Sequence, residues 1–430
     1  MSNQLNEHQD IERRALRKAT LRLAPLLTLG YLVNYIDRTN VGFAALTMND
    51  AIGISASQFG FAAGILYIGY SIFEVPSNLA LYRFGASLWL GRIMVTWGLA
   101  AGATAFVVDA HSLYFVRFLT GVAEAGFFPG AIFYITTWFP PAYRGRMLGW
   151  LMLGSPLSSI ISGPVSVSLL RLDGLWGFAG WQWMFVIEGI PAVVLGIVFL
   201  FVFPNTPRDA KWLTPQERAA LEPKPIAQQA GVNQDPWSMF RDSRVLILAA
   251  AYFCYTSGVI GIGIWLPQLL GGYGLSMWHI GVMSTIPYLV ACVTTLLWAN
   301  GVDRYKHYIL HSVAAGCLAA AGFVLSFATS SLVPTLIAIT LAVVGMNAFK
   351  APFFNIPPQF LGGAAAAGGI ALINSLGSLG GFLGPYLLGA LRETTGSFSL
   401  GLLSLASLLG LSVVLVLLFG FRTRRIESGA

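Results

Sequence analysis

Five charged side chains interrupt stretches that are otherwise apolar: Asp37 and Arg38, Arg117 and Glu124, and Lys350. A full charge at the centre of a bilayer costs about 2.5–3.5 kcal/mol even on insertion scales, so Asp37 and Arg38 together load one segment with about 5–7 kcal/mol. Charges kept at that cost usually line a water-filled path. In a helix, Asn34 and Arg38 share a face, and Asp37 points about 100° away. Arg117 and Glu124 lie two turns apart on one face, about 10 Å along the axis. This spacing lets them bracket the Asp37–Arg38 pair, placing two acids and two guanidinium groups in one cavity. Arg117 sits toward a span end, where it could also snorkel to the interface. Such a set suits proton coupling, because burial retains a carboxyl proton and a nearby Arg expels it. Arg38, Arg117 and Lys350 outnumber Asp37 and Glu124, which favours an organic anion. Lys350, expected opposite the other four, is placed to hold a second carboxylate of a short dicarboxylate.

The elements that must position these groups follow from composition. Hydrophobic residues make up 56% of the 430-residue chain, charged residues 10%, and mean hydropathy is +0.70. A soluble domain carries about 25% charge, so the chain reads as an all-α integral membrane protein. Spans of about twenty apolar residues are expected at 24–46, 58–80, 88–107, 113–137, 145–169 and 183–203. A second set is expected at 245–270, 278–299, 308–327, 332–351, 366–390 and 398–420. That arrangement gives twelve transmembrane helices in two pseudo-symmetric six-helix bundles, 1–203 and 245–430, joined by a cytoplasmic linker, 204–244. Within the linker, Thr214-Pro215-Gln216-Glu217 reads as the capped start of a short helix. The first residues are polar and basic, with no cleavable leader expected.

Arg171 and Arg392 are the sole cations assigned to the side opposite the N-terminus, three more lie within spans, and the rest of the 25 Lys and Arg share the N-terminal side. This bias sets both termini in the cytoplasm. The net charge of +7 therefore marks topology, and no nucleic-acid partner is expected. Gly163-Pro164 with Leu170-Arg171 recurs as Gly384-Pro385 with Leu391-Arg392, as two parallel repeats with a midplane site between them would require. The repeat is chemically lopsided: Gly258 and Val259 match Asp37 and Arg38, and Gly345 matches Glu124. Proton chemistry is thus assigned to the first half. Glu74 reads as a gate or packing acid, Glu188 as structural, and Cys254, Cys292 and Cys317 as small buried hydrophobes. The five histidines show no metal-ligand spacing, so no metal, no cofactor beyond the proton, and no catalytic set is expected.

The chain resembles the major facilitator superfamily and, within it, the tartrate- and phthalate-permease-like branch of the anion:cation symporter family. The matching stretches are Tyr35-Ile-Asp-Arg-Thr-Asn-Val41, the run from Arg117 to Pro129, Gly180–Gly189, Gly369–Ser375 and Gly380–Pro385. The resemblance implies that Asp37 and Glu124 are the proton-coupling acids and that Arg117 pairs with them. It implies substrate contacts at Arg38, Tyr35, Tyr70 and Asn374. The superfamily's cytosolic gate motif is degenerate in its first copy, Asn78…Tyr82-Arg83-Phe84-Gly85, and keeps Asp303-Arg304 in its second, so the expected gate residues are Arg83, Asp303 and Arg304. Lys350 stands where a small residue is expected and is a candidate for specificity. The whole reading is a monomeric, bacterial inner-membrane symporter that imports a hydroxylated dicarboxylate such as tartrate. An aromatic-acid symporter and an organic-anion exchanger are the alternatives. Neither a metalloprotease nor a serine-hydrolase motif is present to suggest an enzyme.

Overall fold

The computed structural model describes residues 2–221, 242–361 and 363–427. Their regular elements are helices: α1 (Ser2–Ile52), α2 (Ala56–Phe84), α3 (Ala86–Ala103), α4 (Ala110–Glu124), α5 (Phe127–Trp138), α6 (Pro141–Met152), α7 (Gly154–Leu170) and α8 (Gly180–Val202). After the short α9 (Pro215–Leu221) come α10 (Ser243–Gly271), α11 (Met277–Tyr305), α12 (Tyr308–Phe327), α13 (Leu332–Phe354), α14 (Gly363–Ser378), α15 (Gly380–Thr395) and α16 (Ser399–Glu427). Lipid offers the backbone no hydrogen bonds, so apolar runs of this length satisfy their amides internally. Among the described residues, ten stretches are long and apolar enough to cross a membrane. The rods α1 and α3 fall outside that set, since one carries the Asp37–Arg38 pair and a polar start and the other carries Arg92.

Three expected spans are each broken once. The 113–137 span divides at Ala125-Gly126, the 145–169 span at Leu153, and the 366–390 span at Leu379. Conversely, α1 starts well before the expected 24–46 span. Ala15, Leu16, Ala19 and Leu23 bury one stripe of that extension, the helical period that packs a rod. The linker cap forms as expected: the Thr214 hydroxyl accepts from the Glu217 amide at 3.2 Å and Glu217 Oε2 accepts from the Thr214 amide at 3.0 Å. Glu217 also ties the N-terminal extension down through Lys18 Nζ at 2.7 Å.

Two cores organise the helices. One spans both halves of the chain, joining Val41, Phe59, Ala62 and Phe185 to Trp265, Ile339, Phe349 and Leu405. The other is built from residues up to Leu221 alone, including Leu23, Trp97, Phe127, Trp138 and Phe199. The halves are therefore fused toward the end where α1 finishes at Ile52, and toward the opposite end the first half has a core of its own. Glycines make the fused end possible. A Cβ on Gly42 would strike the Ile264 carbonyl, one on Gly60 the Pro385 carbonyl, and one on Gly163 the Gly281 carbonyl. Glu393 of α15 adds a polar clasp, accepting from Ser55 Oγ at 2.7 Å and from the Ser57 amide at 2.8 Å at the start of α2. Of the cysteines, Cys254 alone is buried; Cys292 is half-buried and Cys317 exposed.

Candidate functional site

On α1, Asn34 and Arg38 do share a face, and both reach Glu124. Asn34 Nδ2 donates to Glu124 Oε1 at 2.5 Å, and Arg38 Nε forms a short ion pair with the same oxygen. Glu124 Oε2 has no hydrogen-bond partner among the described residues. Asp37 turns away, as its register requires, and accepts from the Trp97 indole of α3 at 2.7 Å. Its Oδ1 is likewise without a partner.

The local backbone places Glu124 deliberately. It is the last residue of α4; Ala125 leaves helical geometry and Gly126 sits at φ +89°. Gly126 is needed there twice over, for its left-handed backbone and because a Cβ would strike the Ser77 hydroxyl. Ser77 Oγ donates to the Ala125 carbonyl at 2.6 Å and accepts from Trp89 Nε1 at 3.0 Å, bracing the break. A carboxylate at a helix C-terminus opposes the macrodipole, so Glu124 depends on the Arg38 cation. Upstream, Gly121 lets α4 approach the Leu66 carbonyl of α2.

Arg117 departs from expectation. It is 1% exposed and does not snorkel. Its Nη1 donates at 3.4 Å to the backbone carbonyl of Asp37 rather than to a carboxylate, and its Nε and Nη2 have no partner among the described residues. It braces α1 at the acid without forming an ion pair.

The rings of Tyr35, Tyr67 and Tyr70 surround the Arg38 guanidinium, their centroids 5.6, 5.6 and 4.9 Å from its carbon. The Arg38 side chain keeps 13% of its exposure and Glu124 only 1%, so a solute meets the cation before the acid. Lys350 of α13 comes within electrostatic reach of Tyr35, Tyr252 and Arg38, which brings a C-terminal-half cation to the same group of side chains. Behind it Tyr252, Tyr255, Phe349 and Phe353 stack in series at 4.6–5.4 Å. Asn374 of α14 donates to Glu74 Oε1 of α2 at 3.4 Å, with the Ser375 hydroxyl beside it. Glu74 is thus buried between the halves, and its electrostatic neighbours include Arg38 and Tyr70.

A family model described as the Major Facilitator Superfamily matches residues 27–385. The chain belongs to the Major Facilitator Superfamily. A relative from Agrobacterium vitis titled "Putative tartrate transporter" is 46% identical over 412 residues, covering 95% of this chain and 92% of that one. A quinolone resistance transporter of Acinetobacter baumannii is 40% identical, with 94% of each chain covered. Among solved structures, a D-xylose–proton symporter superposes with a TM-score of 0.75 at 17% identity, over 92% of this chain and 96% of that one. A bacterial homologue of the human lysosomal transporter Spinster, inward-facing and occupied, gives 0.75 at 16%, over 94% and 96%. The likeness to these structures is one of fold; by its family the chain is an all-helical membrane transporter and not an enzyme.

The superfamily's gate positions are placed less tightly. Arg83 lies over the ring of Phe84 at 5.5 Å and Arg304 over Tyr305 at 5.6 Å. The Asp303 side chain lies outside the described residues. Sequence reasoning passed over the tyrosine ring's third member, Tyr67, whose signal was its i, i+3 spacing to Tyr70.

Proposed function

We propose that the chain imports a small organic anion with protons, through alternating access of the bundles 1–203 and 245–430 about the 204–244 linker. The observation that carries this reading is the Arg38–Glu124 ion pair, whose acid is 1% exposed while its cation, set among tyrosine rings, keeps 13%. An anionic substrate and Glu124 compete for one guanidinium. A carboxylate that seats on Arg38 displaces Glu124, and the freed acid, buried at a helix C-terminus, takes a proton. Reversal on the other face returns the proton and restores the pair. Breaking a buried ion pair on one side alone costs about 3–5 kcal/mol, which ties proton uptake to substrate arrival.

Arg38 and Lys350 face the cavity from opposite halves, as a two-cation clamp for a short dicarboxylate would. The name carried by the Agrobacterium vitis relative supports tartrate as the first candidate. The Glu74–Asn374 pair offers donors and acceptors for substrate hydroxyls. A second reading, an aromatic acid, is favoured by the stacked wall from Tyr252 to Phe353. The lysine and arginine bias assigns the Ile52 end to the outside, so the closed end faces out in this conformation and the cavity faces the cytoplasm of a bacterial inner membrane. The site needs nothing from another copy, and the transporter is taken as a monomer.

Uptake of labelled organic acids into proteoliposomes, with and without an inward proton gradient, tests the reading. Gradient-driven accumulation of a dicarboxylate is expected. Accumulation of aromatic acids alone moves the assignment to the second reading, and equilibration without accumulation contradicts coupling.

A further inference from the structure

The first half holds a further buried carboxyl, Glu188 of α8, which the scheme above does not use. It is 5% exposed. Its Oε1 accepts from Ser166 Oγ of α7 at 2.7 Å, and its Oε2 has no partner among the described residues. Asn40 of α1 lies beside it without closing a hydrogen bond, and both polar atoms of the Asn40 amide are unpartnered although the residue is 1% exposed. Asn40 is one helical turn from Asp37, whose Oδ1 is also unpartnered and whose electrostatic neighbours include Glu188.

The groups packed around Glu188 complete the picture. From α1 come Asp37 and Asn40, and from α7 Ser166. The α3 face against Gly189, the next residue of α8, is the backbone of Gly98 and Gly102. No salt bridge to Glu188 is found among the described residues. Arg117, engaged with the Asp37 carbonyl, is a cation whose charge acts on Asp37. Asp37, Asn40 and Glu188 thus each keep buried polar atoms without a partner among the described residues, and a proton on one acid would satisfy them.

A hydroxyl file leads away from Glu188. Ser166 Oγ lies 3.5 Å from Ser162 Oγ, which lies 3.4 Å from Thr39 Oγ1. Both gaps exceed a standard hydroxyl hydrogen bond but close with a rotamer change. Thr39 and Ser162 then line a small cavity of about 20 Å³ between the halves, room for about one water, with Phe43, Gly263, Pro267 and Tyr288.

We propose that Glu188 is a second proton-holding carboxyl, bridged to Asp37 by Asn40 and loaded from the inter-half cavity through Thr39, Ser162 and Ser166. Protonated Glu188 donates its O–H to Asn40 Oδ1, and ionised Asp37 accepts from Asn40 Nδ2. The proton leaves Glu188 by the hydroxyl file that brought it. Glu124 and the Asp37–Glu188 pair then carry separate protons, which raises the coupling ratio. This inference rests on the proton-coupled reading.

The test is the slope of log accumulation against imposed pH difference, at steady state, in proteoliposomes of the full chain loaded with labelled tartrate. Each coupled proton contributes tenfold per pH unit. Glu188→Gln is expected to lower the slope by about one, a ratio that partial loss of active protein does not move. An unchanged slope overturns the proposal. Ser166→Ala, which keeps the acid and cuts the file, is expected to keep the slope and slow initial filling about tenfold. Unaltered filling overturns the loading path even if Glu188→Gln yields no folded protein. A wild-type slope of zero instead overturns the coupling reading itself.

Discussion

At the residue scale, the transporter turns on one guanidinium with two claimants. Glu124 holds Arg38 through a single oxygen shared with Asn34, and its other oxygen is unsatisfied. Arg38→Lys replaces a planar fork with a point charge. A charge-assisted hydrogen bond contributes about 1.5–3 kcal/mol, so substrate binding measured by calorimetry should weaken about ten- to hundredfold. Near-wild-type affinity would leave Arg38 a structural role only. Lys350→Ala should weaken dianions about tenfold more than monoanions in the same assay, and equal losses would dissolve the clamp. The charged residues were legible from sequence because an intramembrane charge is expensive wherever it stands. That same argument should have singled out Glu188, which lies within an apolar span of α8, although from sequence it reads as structural. The partner of Arg117 was not legible, since backbone carbonyls carry no sequence signature.

At the element scale, the break between α4 and α5 matters most. A straight helix through 113–137 would carry Glu124 past Arg38 with its carbonyls already bonded. Instead Gly126 turns the chain at φ +89° and Ser77 holds the freed carbonyl. Gly126→Val combines a strained left-handed backbone with a clash on Ser77. A loss of about 1–3 kcal/mol is expected, read as a lower thermal midpoint, and an unaltered midpoint would show that the break is soft. Periodicity marked the span but not its interruption, because a single glycine in an apolar run is common in membrane helices. The capped helix at Thr214–Glu217 was legible because capping chemistry is local in sequence.

At the scale of the whole molecule, the two cores and the glycine seam describe one state of a cycle. The seam is closed where α1, α2 and α7 meet α10, α15 and α11, and Glu393 clasps the start of α2. Cysteines introduced at Ser55 and Glu393, whose side chains meet across that end at 2.7 Å, should be joined by a short thiol cross-linker in a chain whose native cysteines are serine. Transport should then stop and return on cleavage of the linker. Transport that continues through the cross-link would rule out opening at this end. The twofold plan was legible from the Gly-Pro and Leu-Arg repeats, whereas the closed end was not, since both halves carry similar glycines and only packing decides which meet.

The most direct measurement follows proton uptake and affinity together when tartrate is added to weakly buffered, detergent-solubilised protein. Wild type should take up protons on binding. Glu124→Gln should bind about tenfold more tightly, because Arg38 has lost its competing carboxylate, and should take up about one proton fewer. Equal proton uptake in the two proteins, or weaker binding by Glu124→Gln, would contradict competition for Arg38 as the basis of coupling.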